Sequence, residues 1–293
     1  MNRSEEVIII LSTDELTLNT EEVWMECEDA KLYGVLYIPK NVPAPGLLIC
    51  HGMNAQGFHL LTIYKQLART TCKNGFVSFV FDFRGVGKSV GKFDYGWAEQ
   101  KDITCALNYL ASRPEVLSNN VYVVGHSLGG VVSLYALQNE ARVKGLVLWS
   151  TPKNHDYNVR KFIKRTKGAF GLYSFLLLSR IDKVINVSRL FRLRVYGINL
   201  RLKDVREKLM KLDACKAASN LSIPLFVVVG DQDVIVGVDE AKEIFASAHR
   251  PKNLLILRGA DHVFKGREVE VIAKTIGWIK RVEGEVSTSL QKG

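Results

Sequence analysis

Val121-Tyr122-Val123-Val124-Gly125-His126-Ser127-Leu128-Gly129-Gly130 decides how this chain is read. Val121 to Val124, apolar and rich in β-branched valine, predicts a short buried strand. Gly125 to Gly129 then fits G-x-S-x-G, and the following Val131 to Gln138 carries helical periodicity. A serine on so tight a strand-to-helix turn sits in a strained backbone conformation. Any side chain at Gly125 or Gly129 would crowd the neighbouring strand and helix. Ser127 is therefore expected to stand out over the carboxyl end of a sheet, beside helix N–H groups that favour a developing negative charge.

Outward from this turn, strands and helices alternate. Upstream lie a strand at Gly46 to Cys50, a helix over Phe58 to Thr71, a strand at Phe76 to Phe81 and a helix over Trp97 to Ser112. Downstream come a helix over Leu128 to Asn139 and a strand at Gly145 to Ser150, and later strands at Leu225 to Gly230 and Asn253 to Leu257, each followed by a helix (Val238 to Ala248, Glu268 to Val282). This order predicts a mostly parallel sheet with helices on both faces. Ahead of it, the short β-like pieces VIIIL (Val7 to Leu11), VWMECE and KLYGVLYIP predict an antiparallel lead-in that ends at Pro43 and Pro45.

Composition sets the limits. With 293 residues, 47% hydrophobic and 24% charged, the chain is globular, one large domain with an insertion. The core is expected in two parts, 1–152 and 217–283, interrupted by a basic helical insert at 153–216 and followed by a loose tail at 284–293. The insert holds 17 Lys or Arg against 5 Asp or Glu, whereas the remainder has 23 against 25, so all of the net charge of +10 resides there. Within it Phe170, Tyr173, Leu177, Ile181 and Val184 recur at helical steps, and with their neighbours make a helix apolar nearly all round. Such a helix would supply an apolar ceiling over a site beneath it.

The N-terminus has too short an apolar run for a signal peptide, and no run approaches a membrane span. Five cysteines without metal-ligand spacing read as reduced, mostly buried thiols. A soluble, cytoplasmic protein is the expectation. Gly87-Lys88-Ser89 imitates the end of a phosphate-binding loop, but Asp82 stands where that motif needs glycine, so nucleotide binding is not expected. Asp82 and Arg84 are expected to brace the loop beneath the site.

A serine hydroxyl becomes a nucleophile only with a general base, and the base needs a third group to hold its tautomer. His262, in the loop after the last strand, opens at the same sheet edge as Ser127. Asp233, after the preceding strand, is its natural orienter. His51 is expected to order its loop through hydrogen bonds and His126 to pack or hydrogen-bond nearby; His59, His155 and His249 are read as surface or packing residues. No histidine cluster has metal-ligand spacing.

The chain resembles the α/β-hydrolase superfamily over nearly its whole length, from about Lys31 to Lys280. CHGMNAQG resembles the family's oxyanion loop, FDFRGVGKS its D-x-R-G-x-G-x-S stretch, and GHSLGG, GDQD and GADH its three catalytic loops in order. The resemblance implies an α/β class fold, a mostly parallel eight-stranded sheet with helices on both faces and a helical cap inserted after the sixth strand. It implies a Ser127 nucleophile, a His262 acid/base and an Asp233 carboxylate. The backbone N–H groups of Met53 and Leu128 would form the oxyanion hole. Asp231 competes with Asp233, which better matches the family's G-x-x-D position; Asp261 is too close to His262 to orient it.

The activity so implied is a serine esterase of the carboxylesterase or monoacylglycerol-lipase kind, acting without metal or organic cofactor on a small-molecule ester with a moderate-length acyl group. Phe170, Tyr173 and Leu177 would line its substrate site. Peptide, amide or thioester cleavage by the same triad is the alternative, and a non-catalytic ligand-binding protein a further one. The basic cap could meet an anionic substrate or membrane surface. No nucleic acid partner is expected.

Overall fold

The computed structural model describes residues 18–185, 193–195, 197–249 and 251–290. The VIIIL stretch lies outside them. In chain order the elements are β1 (Asn19–Cys27), β2 (Ala30–Ile38), β3 (Ala44–Cys50), α1 (Thr62–Lys73), β4 (Val77–Phe81), α2 (Glu99–Ser112), β5 (Val116–His126), α3 (Leu128–Ala136) and β6 (Val143–Trp149). There follow α4 (His155–Ile185), β7 (Leu193–Val195), β8 (Ile198–Leu200), α5 (Leu202–Glu207), α6 (Ala214–Ala218), β9 (Leu225–Gly230), α7 (Val238–Ser247), β10 (Lys252–Leu257) and α8 (Glu268–Leu290).

Eight strands form one sheet in the order β1-β2-β4-β3-β5-β6-β9-β10. The first two ladders, β1 with β2 and β2 with β4, are antiparallel; the rest are parallel. The inner parallel strands β3, β4, β6 and β9 read as largely apolar runs because both of their faces are covered. Their side chains alternate accordingly. Leu48, Cys50, Val121, Val123, Val227 and Val229 join the core beneath α2, α3, α6 and α7. Leu47, Ile49, Tyr122, Val124, Phe226 and Val228 join the core beneath α1 and α8. β1 alternates exposed with buried residues from Glu22 to Cys27, as an edge strand with one wet face does.

The sheet places β5, β6, β9 and β10 side by side, so the loops leaving their carboxyl ends share one edge of the molecule. The insert rises from that edge after β6 through a narrow neck. Asn154 and Asp213 form a two-residue antiparallel bridge, with Ala214 N–H donating to the Lys153 carbonyl at 2.8 Å and His155 N–H to that of Leu212 at 3.3 Å.

Three expectations are corrected. Cys27 at the end of β1 and Cys105 on α2 form a disulfide, not reduced thiols. The fold brings together two cysteines 78 residues apart, a pairing no spacing reveals. The inference of a cytoplasmic location leaned on reduced thiols and loses that support. The insert, expected to hold no strand, contains the β7–β8 hairpin. The closing helix, expected to stop at Val282 before a loose tail, continues to Leu290.

On the cap helix Ile163 and Phe175 are buried, at 6% and 7% exposed, with Leu176 and Leu178 partly buried, whereas Tyr173 and Leu177 are 65% and 45% exposed. A helix apolar on every side leaves periodicity no means of choosing a face. Gly168, at φ 70° and ψ −174°, interrupts it and resets its direction. The Phe170 side chain lies outside the described residues. No described helix is long and apolar enough to cross a membrane.

Candidate functional site

Ser127 caps β5 at φ 53° and ψ −120°, a left-handed conformation rare for a residue with a side chain. The surroundings enforce it. Ser127 N–H donates to the Trp149 carbonyl at 2.8 Å, tying the turn to the end of β6. A β-carbon on Gly125 would stand 2.6 Å from Gly130 Cα, and one on Gly129 would overlap the carbonyl ends of Cys50 and His51. The turn therefore lies flat against β3, and the serine is driven outward.

The loops after β9 and β10 are laced to each other. Asp231 N–H bonds to the Leu257 carbonyl at 3.1 Å, Gln232 N–H to Ala260 at 2.9 Å, and Gly259 N–H to the Asp231 carboxylate at 2.6 Å. This lacing consumes Asp231. Asp261 is likewise occupied, accepting from the N–H groups of Val263 and Lys265.

Asp233 is left to face His262. Its Oδ2 accepts from His262 Nδ1 at 2.9 Å, and its Oδ1 from the N–H groups of Ile235 and Val236, each at 2.9 Å. A carboxylate only accepts, so Nδ1 carries the imidazole proton and Nε2 presents a lone pair. That Nε2 lies 3.2 Å from Ser127 Oγ. Burial pushes the Asp233 carboxyl up, but the hydrogen bond and charge of His262, the Val236 N–H and the Ser150 hydroxyl outweigh it and hold it below its ordinary range. The structure thus brings together Ser127, His262 and Asp233 from residues up to 135 positions apart.

Opposite the imidazole, the loop after β3 runs past the serine. A β-carbon on Gly52 would stand 3.2 Å from Ser127 Cβ. Among the described residues, no protein acceptor is found for the N–H groups of Met53 and Leu128. His51 fixes this loop. Its Nε2 accepts from Phe83 N–H at 3.1 Å, so its Nδ1 donates to the Gly52 carbonyl at 2.7 Å, and burial pushes its pKa down to about 4.

Comparison with known proteins concerns the chain as a whole. The family described as serine aminopeptidase, S33, matches residues 43–187, about half of the chain. An uncharacterized protein of Rickettsia prowazekii is 24% identical over 78% of this chain and 75% of its own length. A thiohydrolase of Arthrinium phaeospermum is 30% identical over 46% of this chain and 44% of its own. The structure of a Pyrococcus furiosus esterase superposes with a TM-score of 0.65 at 22% identity, covering 90% of this chain and 93% of that one. This chain belongs to the α/β-hydrolase superfamily.

Other sequence expectations find their places in this α/β-hydrolase. Asp82, wholly buried, accepts from the N–H groups of Phe58 and Lys88, and Ser89 donates to its carbonyl. The Gly-Lys-Ser stretch thus closes a brace and holds no phosphate cradle. Burial raises the Asp82 carboxyl to about 6 against those N–H groups. Arg84 pairs with Asp102 and Asp29. His155 is buried in the cap neck and His59 stacks on Phe58, while His249 is exposed. Among the described residues no group of three or more His, Cys, Asp or Glu could hold a metal ion.

Two residues at the site were not singled out in the sequence. Tyr64 passes there for an ordinary core aromatic of α1, its hydroxyl the sole hint of another use. Ser150, at φ 44° directly after β6, is buried beside Asp233. Its place at the carboxyl edge was the signal available.

Proposed function

We propose that this chain is a serine hydrolase that cleaves carboxylic esters through an acyl-enzyme, of the carboxylesterase or monoacylglycerol-lipase kind. The observation that carries this reading is the unbroken line from Ser127 Oγ through the His262 ring to Asp233, at 3.2 and 2.9 Å. His262 Nε2 takes the hydroxyl proton as Oγ attacks the ester carbonyl. Asp233 stabilises the imidazolium so formed. The amides of Met53 and Leu128 hold the tetrahedral oxyanion, each worth on the order of a hundredfold in rate. The imidazolium then protonates the departing alcohol, and water repeats the sequence on the acyl-enzyme.

Tyr173 and Leu177, open to solvent on the cap helix, are the acyl contacts in this proposal, with Phe170 on the same helix. The cap's positive charge would draw in an anionic substrate or rest on an anionic membrane surface. The second reading is acyl-thioester or peptide cleavage. It draws on the Arthrinium relative's name, thiohydrolase, and on the matching family's description as a serine aminopeptidase.

The test is hydrolysis of p-nitrophenyl esters from acetate to palmitate, beside aminoacyl-nitroanilides and acyl-thioesters, with Ser127→Ala in parallel. An ester chain-length optimum abolished in the variant supports the esterase. Turnover confined to thioesters or nitroanilides transfers the function to the second reading, and none with any substrate favours a non-catalytic ligand-binding protein.

A further inference from the structure

A second line of hydrogen bonds runs beneath the triad and touches none of its reacting atoms. Gly52 N–H meets the Tyr64 hydroxyl oxygen at 3.1 Å, that hydroxyl meets His126 Nδ1 at 2.6 Å, and His126 Nε2 meets the backbone carbonyl of His262 at 2.9 Å. Tyr64 and His126 are both buried.

The chemistry of the ends fixes every proton between them. The His262 carbonyl only accepts, so His126 Nε2 carries the ring proton and Nδ1 is an acceptor. The Tyr64 hydroxyl therefore donates to Nδ1, and its lone pair is free to accept from Gly52 N–H. Burial, with repulsion from His262, pushes the His126 pKa down to about 3, so this neutral tautomer persists across the working range of pH.

The line joins three loops that the fold otherwise delivers separately. Gly52 precedes Met53 on the loop after β3, His126 precedes Ser127 on the turn after β5, and the carbonyl belongs to His262 itself. The ring of His126 lies 5.1 Å from that of His262, and a β-carbon on Gly52 would come within 3.2 Å of His126 Nδ1. No slack separates the tie from the site. We propose that Tyr64 and His126 form a cross-tie that sets the oxyanion loop and the His262 loop against Ser127, making both positioning residues for the reaction; this rests on the serine-hydrolase reading.

The test compares wild type with Tyr64→Phe, His126→Gln, His126→Asn and the double variant Tyr64→Phe/His126→Gln. Each is assayed for the rate of fluorophosphonate labelling and for kcat and KM on p-nitrophenyl butyrate, normalised to sites titrated at saturating probe. Tyr64→Phe should lower kcat and labelling by about ten- to a hundredfold, with KM within about twofold, because orientation and not binding is lost. Gln reaches the position of Nε2 and keeps the His262 tie; Asn reaches only Nδ1 and keeps the Tyr64 tie. Each should lose less than Tyr64→Phe, and the double variant no more than about the worse single one.

Should Tyr64→Phe fail to fold, the two His126 variants give the same split. Wild-type labelling and kcat in the variants, losses that multiply independently, or a loss confined to KM would overturn the tie alone. A wild type that takes no label would overturn the serine-hydrolase reading and the tie with it.

Discussion

A β-carbon on Gly129 would overlap the carbonyl oxygen of His51. The turn that carries Ser127 and the strand end that leads into the Gly52–Met53 loop thus touch backbone to backbone. Gly129→Ala must push the two apart. The expected result is a loss of about 1–3 kcal/mol of stability together with labelling of Ser127 slowed at least tenfold, read by thermal melting and probe kinetics. Unchanged labelling would mean that the contact has no bearing on the site.

The two neighbouring aspartates separate cleanly. Asp233→Asn retains the shape of the loop but presents an amide where the imidazole needs a carboxylate, and kcat should fall by about 10⁴-fold. Asp231→Asn weakens only a bond to Gly259 N–H at the exposed lacing of the loops, and should leave kcat within about threefold. A reversed ranking in ester turnover would reassign the acid.

His155, buried in the cap neck, has an Nδ1 with no hydrogen-bond partner among the described residues. Burial depresses its pKa to about 4 from an ordinary 6.5. The unfolded chain therefore binds a proton that the folded one refuses. The associated stability is full above about pH 6.5 and is lost as pH falls toward 4. At pH 5 the loss amounts to about 2 kcal/mol, so His155→Phe should narrow the stability difference between pH 7.5 and pH 5 by about that much. Parallel urea curves for wild type and variant at both pH values would contradict it.

The disulfide fastens the edge strand β1 to α2 and closes a loop of 78 residues. Cys105→Ser should cost the oxidised protein about 2–4 kcal/mol. The difference should disappear when both proteins are melted in reductant. Free-thiol titration of the denatured, unreduced wild type should find three thiols, those of Cys50, Cys72 and Cys215; five would restore the expectation of reduced cysteines.

On the cap helix, Phe175→Ala should cost about 3 kcal/mol by opening a cavity. Leu177→Ser, at an exposed position, should leave the melting temperature unchanged and raise KM for longer acyl esters. A melting loss at Leu177 would reverse the assigned face.

Much of this molecule is legible from its residues, for identifiable reasons. Strands such as Gly46 to Cys50 and Leu225 to Gly230 announce themselves because sheets covered on both faces demand unbroken apolar runs. The Gly125 to Gly129 turn is legible because its close approaches admit no other residue. Other features depend on rotations and distances that one sequence does not encode. The three-residue strands β7 and β8 are too short for a periodic signal. Cys27 and Cys105 meet only after β1 folds onto α2. Tyr64 looks like any core aromatic until its hydroxyl is seen between Gly52 and His126.

The neck at Asn154 and Asp213 has a wider consequence. The polypeptide leaves the core and re-enters it at a single bridged pair, so residues added or removed beyond it need not shift the register of β6 or β9. Excision is another matter, because the Lys208 carbonyl accepts from Trp97 Nε1, Arg201 N–H donates to the Tyr95 hydroxyl, and Leu202, Val205 and Leu209 share one core with α2 and α3.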